Sequence, residues 1–282
     1  MLGSTYALIG ISFTLILGVL DMLNLALGEV FMLGAFTALT LVAGLHLPFA
    51  VGLLGGMVAA GLVSLIIERF SFRPLQNAPL LAPLLSTLGF SILLQNLATI
   101  FYGSEQKSFP SGVGNGQFHI AGVLISEVQL IILAVAVVLM FVLEVIVSHT
   151  KIGRGMRAVA EDREAAAILG VDSRTVVVFT CFVAGALAGA AGVLVGLTFS
   201  SISPFMGTQT GLKGIAVMVV GGMGNVRGAM LAGLLLGIAE VMSVAYISAS
   251  FRDAVVYGLL IIVLVVRPAG LLGSLQQQTA RV

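Results

Sequence analysis

The sequence predicts an all-α polytopic membrane protein, with about eight transmembrane helices, a short re-entrant or half-length segment, and one cytoplasmic helix outside the bilayer. Three observations carry this. The chain of 282 residues is 59% hydrophobic and only 9% charged, which leaves too few polar side chains to cover a soluble globule. Its apolar residues fall into runs approaching the roughly 20 residues that span a bilayer, and these runs do not alternate as lipid-facing β-strands would. Finally, nine of the 25 Lys, Arg, Asp and Glu residues crowd into positions 151–174. A segment so charged cannot lie in hydrocarbon, where each charge costs several kcal/mol.

The apolar runs lie near 2–20, 30–45, 48–67, 80–101, 123–147, 176–200, 213–222, 229–247 and 254–266. The run at 213–222 is too short to cross unless it extends backward through 205–212. The start of the chain has no basic n-region and no small-residue cleavage site, so the first helix is expected to stay in the membrane, and a few residues could precede its abrupt beginning. The chain reads as a single transmembrane domain, 1–282, with a hydrophilic insert at 148–175 and no internal repeat. Cys181 is the single cysteine and lies in an apolar run, so it leaves the redox compartment open. A net charge of +1 points neither to nucleic acid nor to a strongly anionic partner.

Basic residues stay on the cytoplasmic side. The insert carries Lys151, Arg154, Arg157, Arg163 and Arg174, and two spans separate it from the loop with Arg69 and Arg73, so both are placed inside. The stretch 102–122 is then outside and the C-terminal tail inside; the side of the N-terminus stays open. Glycines four apart, Gly52/Gly56, Gly185/Gly189, Gly192/Gly196 and Gly233/Gly237, place small residues along one helix face and allow close backbone approach. That face serves tight packing within one bundle or a second subunit.

The insert has the composition of a helix from about Arg154 to Leu169, some 24 Å long at 1.5 Å per residue, with Gly170 positioned to end it in a left-handed conformation. Ala165, Ala166 and Ala167 are small enough for a partner groove to close on them. Ile168 and Leu169 offer an apolar anchor, and Arg154, Arg157 and Arg163 offer rim charges. The competing reading is an amphipathic helix resting on headgroups; Glu161, Asp162, Glu164 and Asp172 weigh against it on a negatively charged leaflet.

Polar residues at membrane depth are functional candidates. Asp21, Asn24 and Glu29 flank a short Leu/Ala segment that reads as an unwound or re-entrant stretch. Glu29 either faces a cavity or is satisfied by helix-start amides. Thr87, Ser91 and Gln95 share one helix face by their spacing of four, either as pathway lining or as polar glue between helices. Glu240, deep in a late run, needs a partner or a cavity.

Five stretches together resemble the permeases of ABC importers, and within them the LivH-type branch of branched-chain amino acid importers. The insert, with Glu164-Ala165-Ala166 and Gly170, is similar to their coupling loop. The others are Asn24-Leu-Ala-Leu-Gly28-Glu29-Val-Phe-Met-Leu-Gly34-Ala35, Glu68-Arg69 with Arg73-Pro74-Leu75, Val220-Gly221-Gly222-Met-Gly224-Asn225-Val-Arg-Gly228-Ala, and Arg267-Pro268-Ala-Gly270-Leu-Leu-Gly273. They cover almost the whole chain in order. One departure is Leu27, where the family often has His before Gly-Glu. The resemblance implies a permease subunit of the bacterial inner membrane that works with a second homologous permease, two cytoplasmic ATPase subunits and an extracytoplasmic solute-binding protein. ATP and Mg would sit on the ATPases, and this chain would bind no cofactor. Arg154, Arg157, Glu161, Glu164, Ala165, Ala166 and Gly170 would then be the ATPase-coupling residues, and Asn24, Glu29, Thr87, Ser91, Gln95 and Glu240 the candidate substrate pathway.

The residues themselves predict no catalytic centre. The glycines at 221–228 lack the order and the preceding strand of a phosphate cradle and read as a tight turn. His46, His119 and His149 are scattered, with no metal-site spacing, and there is no nucleophile elbow. The rivals are an ion-coupled secondary transporter using Asp21, Glu29 or Glu240, a permease for urea or short amides, a membrane-embedded enzyme, and a scaffold that transports nothing.

Overall fold

The computed structural model describes residues 1–76, 78–79, 81–110, 117–120 and 123–273, with 117–120 and 123–125 described as backbone only. The helices in order are α1 Leu2–Leu20, α2 Leu27–Leu39, α3 Phe49–Ile67, α4 Leu81–Tyr102, α5 Glu127–His149, α6 Lys151–Glu161, α7 Arg163–Ile168, α8 Ser173–Phe199, α9 Met206–Gly221, α10 Val226–Tyr246 and α11 Arg252–Val266. Wider π-turns prolong α2 through Thr40–Gly44 and α3 through Glu68–Phe72, and a 3₁₀ turn at Ala249–Phe251 leads into α11. Among the described residues eight helices are long and apolar enough to cross a membrane.

The half-length segment is α9. It does extend backward, to Met206, and its 16 residues reach only about 24 Å. The expected helix over 123–147 is corrected at its start. Strand β3 (Val123–Ser126) pairs antiparallel with β2 (Gln117–Ile120), and α5 begins at Glu127. There the Gln129 side chain accepts a bond from the Ser126 amide at 3.3 Å, satisfying a donor at the helix start. A second two-residue pairing joins β1 (Lys107–Ser108) to β4 (Ser201–Ile202), just beyond the end of α8.

The core is built around α1, α2 and α8. Of the α1 span 83% is buried, against 6% for the α11 span. Hydroxyls inside α1 bond back to the preceding turn, Ser12 to the Leu8 carbonyl and Thr14 to that of Gly10, both at 2.8 Å, so no polar group there is left to face apolar neighbours. Glycine spacing sets the crossing of α2, α3 and α8. A Cβ on Gly56 would lie 2.6 Å from the Gly34 carbonyl oxygen, and one on Gly189 would lie 2.8 Å from that of Gly56. The stripes at Gly185/Gly189 and Gly233/Gly237 thus pack within this bundle, against Ala60 and Ser64, and against Ala7 and Gly3 respectively. By contrast few residues of α4 and α11 are buried.

The end of α1 meets the turn after α9 at Gly18 and Gly224, and Val19 packs with Met156 of α6. The insert, the ends of α1, α3, α5, α9 and α11, and the starts of α4, α8 and α10 therefore form one basic face. The N-terminus lies on the opposite face, with Gly3 packed against Leu234 and Gly237 of α10.

Candidate functional site

The hydrophilic insert is two helices rather than one. Asp162 breaks it: its Oδ1 accepts from the amides of Glu164 (2.9 Å) and Ala165 (3.0 Å), with its own backbone extended at φ −154. A carboxylate that bonds the amides two and three residues ahead makes an N-cap in place of continuing a helix, which is why the expected single helix from Arg154 to Leu169 does not form. Thr150 caps α6 in the same way through Gly153. Asp172 caps α8, and its bonds to Thr175 hold its carboxyl below the usual carboxylate range.

Gly170 does adopt the left-handed conformation, φ +83, with its amide on the Ala167 carbonyl and that of Val171 on Ala166. Ala166 is turned inward, packing with Met156, Val159 and Val176, so its expected place on a partner-facing surface is corrected. Ala165, Glu164, Glu161 and Arg154 are exposed. Arg157 donates to the Val147 carbonyl at the end of α5, and Arg163 donates to the Gln76 side chain at 3.2 Å, so both are engaged within the chain. What projects furthest is apolar: Ile168 is 87% and Leu169 81% exposed at the end of α7.

A second constellation lies inside the bundle, where α2 and α9 both begin. The Asn24 Oδ1 accepts from the Ala26 amide at 3.1 Å, shaping the break before α2. The Thr87 hydroxyl accepts from the Leu25 amide at 3.3 Å, so α4 holds that break from the side. In the first turn of α2 the Glu29 Oε1 accepts from the Thr208 hydroxyl at 3.0 Å, and Thr208 accepts in turn from Gln95 Nε2 at 3.3 Å. Ser91 lies beside the same carboxylate. Glu29 Oε2 and Asn24 Nδ2 are buried with no hydrogen-bond partner among the described residues. Thr208 is in the first turn of α9, about 20 Å above the basic face at 1.5 Å per residue, so the cluster sits at membrane depth. Asn24, Glu29, Thr87, Ser91 and Gln95 are thus brought together. Sequence reading missed Thr208, because position 208 lay in a break between runs.

Glu240 belongs elsewhere. Its Oε1 pairs with Lys213 at 3.1 Å, with Arg252 and with the Tyr6 hydroxyl, while Lys213 also reaches Asp253 at 2.8 Å. This network ties α9 to α1, α10 and α11, and its carboxylate is completely buried. Geometry therefore separates Glu240 from the other five. Lys213 was legible as a lone cation opening an apolar run, yet its partners come from three distant segments.

The glycines at 221–228 make the tight turn expected of them. Gly222 (φ +106) and Gly224 (φ +86) are in conformations other residues rarely adopt, and Asn225 caps α10 through the Gly228 amide. The C-terminal Arg267–Gly273 motif folds onto the same turn. The Leu271 and Leu272 amides donate to the carbonyls of Val220 (2.8 Å) and Gly221 (3.2 Å), satisfying orphan acceptors at the end of α9.

Residues 1–264 match the family described as the permease component of branched-chain amino acid transport systems. The high-affinity branched-chain amino acid permease LivH of Escherichia coli K12 is 38% identical over 96% of this chain and 92% of its own length. BraD of Pseudomonas aeruginosa, named for the same transport, is 41% identical over the same shares. More distant is the D-allose permease AlsC of Escherichia coli, at 24% identity over 85% of this chain and 73% of its own. The match runs through the α2 break, the insert, the α9–α10 turn and nearly all of α11, and on it this chain belongs to the family of branched-chain amino acid transport system permease components.

Proposed function

We propose that this chain is the permease subunit of a bacterial ABC importer that carries branched-chain amino acids across the inner membrane. Identity of 38–41% to permeases named for that transport, along 96% of the chain, supports the reading. In the assembly it pairs with a second, homologous permease, receives solute from an extracytoplasmic binding protein, and is driven by two ATPase subunits that hold ATP and Mg.

The coupling contact is α7. Ile168 and Leu169 enter an apolar cleft of an ATPase subunit, with Glu164, Ala165, Glu161 and Arg154 around them. Met156, Val159 and Ala166 fasten the segment to α8, so a push on α7 moves the base of the bundle. Nucleotide biases the cycle to the extent that it binds one arrangement of the ATPase pair more tightly than the other.

The pathway follows the exposed side of α4 and α9, on the interface with the second permease. Polar side chains there are disfavoured against lipid. Glu29 and Asn24 lie behind that wall, Asn24 Nδ2 without a hydrogen-bond partner among the described residues and Glu29 Oε2 with only Ser91 nearby. An acceptor and a donor at one place suit the ammonium and carboxylate of a zwitterionic solute in transit. Two helix starts, α2 and α9, meet there, as befits an irregular backbone lining a cavity at membrane depth.

The test is uptake by proteoliposomes holding the complete assembly. Labelled leucine should accumulate only with ATP inside, survive an uncoupler, and be outcompeted by valine but not by urea or acetamide. Uptake abolished by uncoupler and indifferent to ATP would overturn the reading in favour of ion-coupled transport.

A further inference from the structure

The basic face carries a cleft that neither the coupling contact nor the pathway uses. It has a volume of about 240 Å³ and is lined by Glu68, Arg73, Gln76, Arg163, Arg174 and Val177. Three guanidinium groups against one carboxylate leave a net charge of +2. The ion pairs at Lys213, Arg227 and Arg252 lie elsewhere in the bundle. The lining comes from three elements: Arg73 follows the π-turn that ends α3, Arg163 opens α7, and Arg174 is the second residue of α8. Each guanidinium offers a planar fork of donors suited to phosphate oxygens.

Position selects the kind of phosphate. Arg73 comes immediately after the span Phe49–Phe72, and Arg174 lies at the start of the span Ser173–Phe199. Both therefore sit at the boundary where hydrocarbon gives way to headgroups. Beside the cleft, sharing Gln76, Arg163 and Val177, is an apolar recess of about 10 Å³ lined by Leu20, Met22 and Phe72, too small for an acyl chain. A basic cleft at this boundary matches the headgroup of an amphiphile whose chains stay in the surrounding hydrocarbon. The volume corresponds to about eight waters at roughly 30 Å³ each, enough for a phosphodiester headgroup.

We propose that this cleft binds the phosphate of an anionic phospholipid from the leaflet on the basic face, through Arg73, Arg163 and Arg174. The bound lipid bridges the end of α3, the start of α8 and α7, and so fastens the projecting helix to the bundle. Basic pockets between transmembrane helices are known to take lipid headgroups. The inference needs only the membrane location and stands apart from the identity of the transported solute.

The experiment is native mass spectrometry of the full chain with its partner permease, delipidated and then offered equal phosphatidylglycerol and phosphatidylcholine. The wild type should retain one phosphatidylglycerol selectively, and occupancy should fall at least fivefold in Arg73→Gln/Arg174→Gln. The charge-keeping pair Arg73→Lys/Arg174→Lys should keep a measurable part of it. Millimolar glycerol 3-phosphate, which offers phosphate without acyl chains, should displace little. No selectivity in the wild type overturns the proposal whatever the variants do. Equal retention by the Gln variant also overturns it. Efficient displacement by glycerol 3-phosphate would identify a soluble-phosphate site instead. In co-purification from native membranes, loss of ATPase subunits from the Gln variant with lipid retention unchanged would assign the arginines to a protein partner.

Discussion

The Thr208 hydroxyl donates a 3.0 Å hydrogen bond to Glu29 across 179 positions of sequence, joining the first turn of α9 to the first turn of α2. A hydrogen bond to a buried carboxyl contributes about 1–3 kcal/mol, so this contact helps to keep the two helix starts together. Thr208→Val should cost about that much in stability, leave the carboxylate without its Oε1 donor, and lower uptake in the reconstituted assembly. Thr208→Ser should restore most of it. Equal uptake by Val and Ser variants would remove the hydrogen bond from consideration.

Glu29→Gln keeps the shape and the Thr208 bond but removes the charge. If Glu29 meets the ammonium of the solute in passage, the variant should insert and assemble normally, with uptake of leucine reduced about tenfold or more. ATPase activity at rest should stay near the wild-type level. Unchanged uptake in Glu29→Gln would make the residue a structural partner of α9 only.

The buried network around Glu240 calls for a different outcome. Removing one member of a buried charged set leaves the others uncompensated, at a cost of about 3–5 kcal/mol. Glu240→Ala should therefore reduce the yield of folded protein and its melting temperature, because Lys213 and Arg252 lose their common partner. Lys213→Met/Glu240→Leu should be less damaging than Glu240→Ala alone. Thermal unfolding in detergent measures both; a silent Glu240→Ala would mean that water reaches the site.

Asp162 determines where α7 starts. Asp162→Ala should lose about 1 kcal/mol of capping and uncouple ATP hydrolysis from uptake more than it lowers either the stability or the yield of the permease. Asp162→Asn should be close to wild type. Hydrolysis measured beside uptake in one preparation distinguishes this from a general folding defect.

Most of the architecture was legible because hydrocarbon imposes length and apolarity on each span, and those are properties of local sequence. The half-length α9 was visible as a run too short to cross. The break within the insert was less so: Asp162 is an ordinary N-cap residue, but Ala-rich flanks on both sides read as one continuous helix. The inward turn of Ala166 depends on packing against Val176, ten positions later, which composition does not reveal. Thr87, Ser91 and Gln95 could be placed on one face by their spacing. That this face meets Glu29 and Thr208 depends on how α4 crosses α2 and α9, and nothing in a single run carries that information. The same holds for Lys213, whose three partners, Tyr6, Glu240 and Asp253, lie on three other helices.

The most direct measurement is co-purification of the ATPase subunits with the permease, wild type beside Ile168→Asp/Leu169→Asp. Both residues are almost fully exposed, so the variant should insert, fold and melt as the wild type does. Wild type that brings down its ATPase subunits, and a well-folded variant that does not, is the result expected if α7 is the coupling contact. Equal recovery of the ATPase subunits by the two proteins would contradict it.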